Sequence, residues 1–210
     1  SLARTTGRVP LPCDLLSNAP LRPASFLTCL LNRHYADARI VDVADRLASQ
    51  IAERYPGTVT LYLDANFPFL DGFPLFPHLS HSDGRKLDIA FYYRDGDGVY
   101  LPGETRSPIG YWAFEQPGRN ARPVCDGASW LSMRWDMAIL QPLFPRLTLD
   151  AERTRYALNW LITSGRDEGV SRIFLEPHLV DSLGVNSPLI RFQGCRVARH
   201  DDHIHLEIQG

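Results

Sequence analysis

The sequence has no C-x-x-C pair, no excess of positive charge and no long apolar run. Its four cysteines stand far apart, at Cys13, Cys29, Cys125 and Cys195, which argues against a thiolate zinc site or a thioredoxin-type motif. Two disulfides fit the even count, and so do four buried thiols. The formal charge is −2, so no basic field draws the chain to nucleic acid. No apolar stretch reaches the roughly 18 residues that span a bilayer, so no membrane span is expected in this chain. Internal repeats and low-complexity tracts are absent as well. The chain opens at Ser1 without Met, as a mature form or a trimmed chain would. What remains is globular in composition: 210 residues, 44% hydrophobic and 22% charged. That length allows one domain of ordinary to large size, or two small ones, with a core that needs no staples.

Residues 1–34 are rich in Pro, Leu and Arg with little period, and read as an extended N-terminal arm with a short helix near 25–31. The main domain is expected over 35–210. From residue 37 to 54, apolar residues fall at Ile40, Val43, Ala44, Leu47 and Ile51, the spacing of a helix with one face on a core. Residues 58–64, "TVTLYLD", and 87–93 read as strands, separated by a Phe/Pro/Gly loop over 66–77. Residues 101–128 read as a long excursion, of the length that is functional or flexible. Helices are expected over 130–144 and 151–164, a strand over 170–176, a short helix over 177–183 and a closing strand over 203–208. This order lacks a βαβ rhythm, so the fold class expected is α+β.

Of seven histidines, five sit in two short stretches, "PHLSHSDGRKLD" and "RHDDHIHLEI", at His78, His81, His200, His203 and His205. On a strand over 203–208, His203, His205 and Glu207 share one face and Ile204, Leu206 and Ile208 the other, with successive same-face residues roughly 7 Å apart. A turn over residues 82–85, containing Gly84, folds His81 back beside Asp88. Taken singly, each motif has a structural reading. A His-x-His on a strand is more often packing than chemistry, "HSDGRKLD" suits a polar hairpin loop, "RHDDH" a solvated loop, and His78 a turn cap. Together, both clusters abut strands and point to one metal site assembled by the fold. His81, Asp88 and His205 supply two nitrogens and one oxygen. Three protein ligands plus water is the catalytic zinc arrangement, and manganese, cobalt or nickel share that ligand chemistry.

His81-x6-Asp88 with His203-x-His205 resembles the zinc signature of the peptidases that include lysostaphin-type enzymes, D-Ala-D-Ala peptidases and the hedgehog signalling domain. With the added histidines, His78-x2-His81-x6-Asp88 and His200-x2-His203-x-His205 resemble the pattern of the penicillin-insensitive murein endopeptidases, as does "ITSGRDEGVSRIFLEPHLVDSL" over 162–183. The resemblance covers roughly residues 58–206. It implies zinc held by His81, Asp88 and His205, His203 as the active-site histidine beside the metal, and His78 and His200 as accessory catalytic histidines. It implies a small antiparallel central sheet flanked by helices, hydrolysis of cross-links in bacterial peptidoglycan at D-alanyl–meso-diaminopimelyl bonds, and a periplasmic location. An extracytoplasmic substrate in turn implies one or two disulfides among the four cysteines, with pairing left open.

Two departures bear on the substrate. "FPFLDGFPLFP" over 67–77 replaces a glycine-rich lead-in, and Arg85 and Lys86 are extra cations. With Arg119, they are candidates for holding a substrate carboxylate. Asp201 and Asp202 are candidates to orient His200 or His203, and Glu207 is the rival to His203 as general base. A D,D- or L,D-carboxypeptidase of the same fold and a non-catalytic zinc-containing binding module are the alternative functions. The presence of His203 favours catalysis.

Overall fold

The computed structural model describes residues 7–15, 17–73, 75, 80–107, 110, 113–118, 124–125, 134, 141–143 and 145–210. In chain order the strands are β1 (Arg8–Pro10), β2 (Leu21–Pro23), β3 (Tyr35–Asp37), β4 (Thr60–Asp64), β5 (Lys86–Ala90), β6 (Tyr93–Arg94), β7 (Thr148–Leu149), β8 (Val170–Phe174), β9 (Ile190–Arg191) and β10 (His203–Ile208). The helices are α1 (Phe26–Leu30), α2 (Ala38–Arg54), α3 (Ala151–Trp160) and α4 (Pro177–Leu183). Helices and strands thus mix around one six-stranded sheet of order β2-β4-β5-β10-β8-β9.

The four middle strands run antiparallel, as expected. The edges correct that expectation, because β2 and β9 join in parallel. A parallel neighbour needs a crossover connection. The chain supplies one on each side: α1 and α2 lie between β2 and β4, and α4 lies between β8 and β9.

The sheet has two unlike faces because successive side chains on a strand alternate. Leu87 and Ile89 of β5 and Ile204, Leu206 and Ile208 of β10 are buried in the main core with Ile40, Val43, Ala44, Leu47 and Ile51 of α2 and Ala157 and Leu158 of α3. Each such Leu or Ile contributes roughly 1.5–3 kcal/mol by leaving water. Helix α2 forms where its apolar spacing demanded. Its start is capped by Asp37, whose carboxylate accepts the Arg39 N–H at 2.9 Å, and it ends before the Gly57 turn. The opposite face carries Lys86, Asp88, His203, His205 and Glu207.

Residues 7–34 contribute β1, β2 and α1, with Leu11 and Leu21 buried in the core and the Cys13–Cys29 disulfide closing the segment on itself. A second disulfide joins Cys125 to Cys195, so all four cysteines are paired. Paired cysteines belong to an oxidising, extracytoplasmic environment. Among the described residues no helix is long and apolar enough to cross a membrane. The helix expected over 130–144 lies largely outside the described residues, within which Gln141–Leu143 forms one 3-10 turn. The helix expected to reach 164 is α3 followed by a π-helical turn over Leu161–Gly165.

Candidate metal centre

The register of β5 and β10 sets Asp88 directly opposite His205, Ala90 opposite His203 and Lys86 opposite Glu207. On the other side of β10, His205 faces Phe174 of β8. His81 arrives from the loop before β5. Its return depends on Gly84, whose φ of +83° suits glycine. A Cβ there would also come within 2.7 Å of Arg8 Nε. The Gly84 N–H donates to Asn66 Oδ1 at 3.1 Å, and Asn66 donates in turn to the Lys86 carbonyl at 2.8 Å, which ties the turn to the sheet.

Three donor atoms converge. His81 Nε2 lies 3.2 Å from Asp88 Oδ1 and 3.2 Å from His205 Nδ1, and His205 Nδ1 lies 2.7 Å from Asp88 Oδ1. A tetrahedral ion with bonds of about 2.0–2.2 Å spaces its ligand atoms about 3.3–3.6 Å apart. Two edges of the triangle are near that length, and the third is a hydrogen bond that a bound metal ion would replace. Nδ1–H of His81 donates to the Ala65 carbonyl at 2.8 Å. That bond leaves the Nε2 lone pair facing the other two donors, which is how metal-binding imidazoles are oriented. His81, Asp88 and His205 together can therefore hold a metal ion.

The three groups are all at most 1% exposed. Burying ionisable groups is costly unless they pair or coordinate. Burial lowers the pKa of His81, outweighing the nearby Asp88, so its ring is neutral and ready to ligate. Burial opposes charge on His205 too, but Asp88 and Glu207 outweigh it and raise its pKa.

His203 stands beside this triangle, with Nε2 3.6 Å from Asp88 Oδ1. Its other nitrogen, Nδ1, is 2.6 Å from Asp202 Oδ1. His200 lies with its ring centroid 5.2 Å from both His203 and His205, and packs 5.7 Å from Phe174. Its backbone is fixed by Glu176: His200 N–H donates to Glu176 Oε1 at 3.3 Å, and Arg134 grips the same carboxylate. His200, His203 and His205 form a second cluster with metal-ligating atoms, although Asp202 already engages Nδ1 of His203. The Cys13–Cys29–His34 cluster is closed to metals by its disulfide.

The structure thus brings His81, Asp88, His200, His203 and His205 together on one face. His78 and Arg119 lie outside the described residues. Asp201 turns to Arg199, whose Nε donates at 3.0 Å, and stands 3.9 Å from His178 Nε2; burial pushes its carboxyl up to about 7. Glu207 stands behind His205, with Oε1 3.6 Å from Nε2, the ring nitrogen remote from Asp88. Burial works against its charge, but His205, Lys86 and Arg172 hold its carboxyl below the usual range. That position suits a group that orients His205, rather than a base beside His203. Sequence reasoning missed Phe174, Glu176 and Arg134. The first was available from strand alternation over 170–176; the other two depend on chain packing that leaves no local pattern. No known family model and no curated protein sequence matches this chain.

Proposed function

We propose that this chain is a zinc-dependent peptidoglycan endopeptidase that hydrolyses stem-peptide cross-links of the D-alanyl–meso-diaminopimelyl type in the periplasm. The observation that carries the reading is the triangle of His81 Nε2, Asp88 Oδ1 and His205 Nδ1 with His203 Nε2 3.6 Å from its carboxylate corner. Two nitrogens and one oxygen suit zinc, and three protein ligands are the number that catalytic rather than structural sites use. When bound, zinc supplies the Lewis acidity that polarises a scissile carbonyl and acidifies water.

The chain's own residues do the rest. His203 accepts a proton at Nε2 and returns it to the leaving amine, work suited to an imidazole near neutral pH. Asp202 holds the opposite nitrogen, so the ring keeps its orientation. His200, braced by Glu176 and Phe174, faces the developing oxyanion, with His78 as a second accessory histidine. The resemblance in His78-x2-His81-x6-Asp88 and His200-x2-His203-x-His205 supplies the substrate class, and the two disulfides agree with export.

The test is mass spectrometry of purified cross-linked muropeptide dimers incubated with the zinc-loaded chain. The reading expects conversion to monomers with gain of one water per bond, with a new terminus at the D-alanyl bond and no conversion after chelation. Dimers that persist under both conditions contradict it.

A further inference from the structure

One row further along the same sheet face, the side chains become charged across three strands. Lys86 of β5, Glu207 of β10 and Arg172 of β8 stand in register. The strand rise sets this row about 7 Å from the Asp88–His205–Phe174 row. With Asp83 and Arg85 from the preceding turn, these residues line a cavity of about 490 Å³, a size that suits part of a small ligand. Within it Lys86 Nζ pairs with Asp83 at 2.7 Å and stands 3.9 Å from Glu207, and Arg172 Nη1 stands 3.5 Å from Glu207. Lys86 and Arg172 are offset by Asp83 and Glu207, and the Arg85 guanidinium lies against Gly210, which also lines the cavity. Arg85 is exposed and makes no ion pair among the described residues.

We propose that this cavity binds a carboxylate of the peptide substrate, received by Arg85 and Arg172. The anion chemistry rests on the cavity itself; that its ligand is the substrate rests on the peptidase reading above. Guanidinium groups suit the role because their planar fork matches a carboxylate with two parallel hydrogen bonds. Lys86 is already paired with Asp83 and makes no direct contact with the ligand. An extended peptide advances about 3.3–3.6 Å per residue, so the carboxylate recognised lies about two residues from the bond over the metal centre. The cavity thus selects peptides with a free acid at that distance from the cut.

Lys86 is the only lysine in the chain, which makes the cavity directly observable. Reductive methylation with ¹³C-formaldehyde keeps its charge and places a methyl signal inside, assigned by its loss in Lys86→Arg. The full chain is titrated with N-acetyl-D-alanine, with its carboxamide and with inorganic phosphate. The acid is expected to shift the signal saturably, the amide not at all, and phosphate more weakly than the acid. In Arg85→Ala/Arg172→Ala, affinity for the acid should fall about 10- to 100-fold, the usual range for losing charged hydrogen bonds. Equal shifts from acid and amide, phosphate binding as tight as the acid, or an unweakened double variant each overturn the proposal. The readout uses neither zinc nor hydrolysis. A chain that binds the acid but cleaves no cross-link therefore keeps this carboxylate site and loses only the peptidase reading.

Discussion

Asp202 and His203 are neighbours in sequence, yet their side chains meet, with Oδ1 2.6 Å from Nδ1. Within a strand, adjacent side chains point to opposite faces. The contact exists because Asp202 lies in the bend just before β10, and only His203 is inside the strand. Both groups are fully buried, so the pair is shielded from water.

Asp202→Asn should therefore keep metal content at the parent level while kcat falls about 10- to 100-fold, the usual effect of removing a carboxylate behind a site histidine. KM should change little, because Asp202 reaches the ring and not the substrate. Steady-state kinetics on a cross-linked muropeptide, beside elemental analysis, checks this. A kcat equal to the parent's would remove Asp202 from the mechanism.

A second expectation concerns pH and stability away from the centre. Asp150 is buried, caps α3 by accepting the Arg153 N–H at 3.2 Å, and pairs with Arg94 at 2.7 Å and with Arg153. Burial raises its pKa, but the two guanidinium groups and the cap outweigh burial and lower it overall. A folded-state pKa below the unfolded value means the stabilisation is present above about pH 4 and is lost as pH falls through the folded value. Asp150→Ala should cost about 1–2 kcal/mol at pH 7, mostly as a lost cap, because both arginines are partly exposed and can rehydrate. Asp150→Asn keeps a capping oxygen and should cost less. Urea unfolding at pH 7 and pH 3 should show the deficit shrinking in acid; a deficit that grows there contradicts the assignment.

Much of this arrangement was legible in advance, and the reasons are local. Ile40, Val43, Ala44, Leu47 and Ile51 mark α2 because a helix repeats its buried face every three to four residues. His203 to Ile208 alternate so regularly that the polar and apolar faces of β10 were readable. Gly84 marked the turn that returns His81 to Asp88. The edge strands β2 and β9 were not legible, since two or three residues show no alternation. The strand expected over 87–93 breaks after Ala90, because Tyr92 gives its carbonyl to Asp150 and Tyr93 pairs with Leu149 in a separate ribbon. Glu176, and Arg134 behind it, join the site through tertiary packing alone.

The disulfides make a third expectation. Cys125–Cys195 closes a separation of 70 residues and Cys13–Cys29 one of 16. By loop entropy these are worth about 4 and about 3 kcal/mol. Replacing each pair by serine should lower the urea midpoint, with the larger loss for Cys125 and Cys195. Peptide mapping without reduction should recover these two pairs; a different pairing would contradict the placement of both segments.

The most direct measurement determines zinc content and cross-link hydrolysis on the same samples of His203→Ala and His205→Ala. Both histidines sit on one strand face, and Ile204, Leu206 and Ile208 hold the other face in the core, so both variants should fold. His205→Ala removes one corner of the triangle and is expected to lose zinc and activity together. His203→Ala leaves all three donors in place and is expected to keep one zinc per chain while hydrolysis falls about 100- to 10,000-fold, the range for a lost general acid–base. If His203→Ala loses zinc as readily as His205→Ala, the ion belongs to the His200–His203–His205 cluster; if it keeps both zinc and full activity, His203 moves no proton and the peptidase mechanism is contradicted.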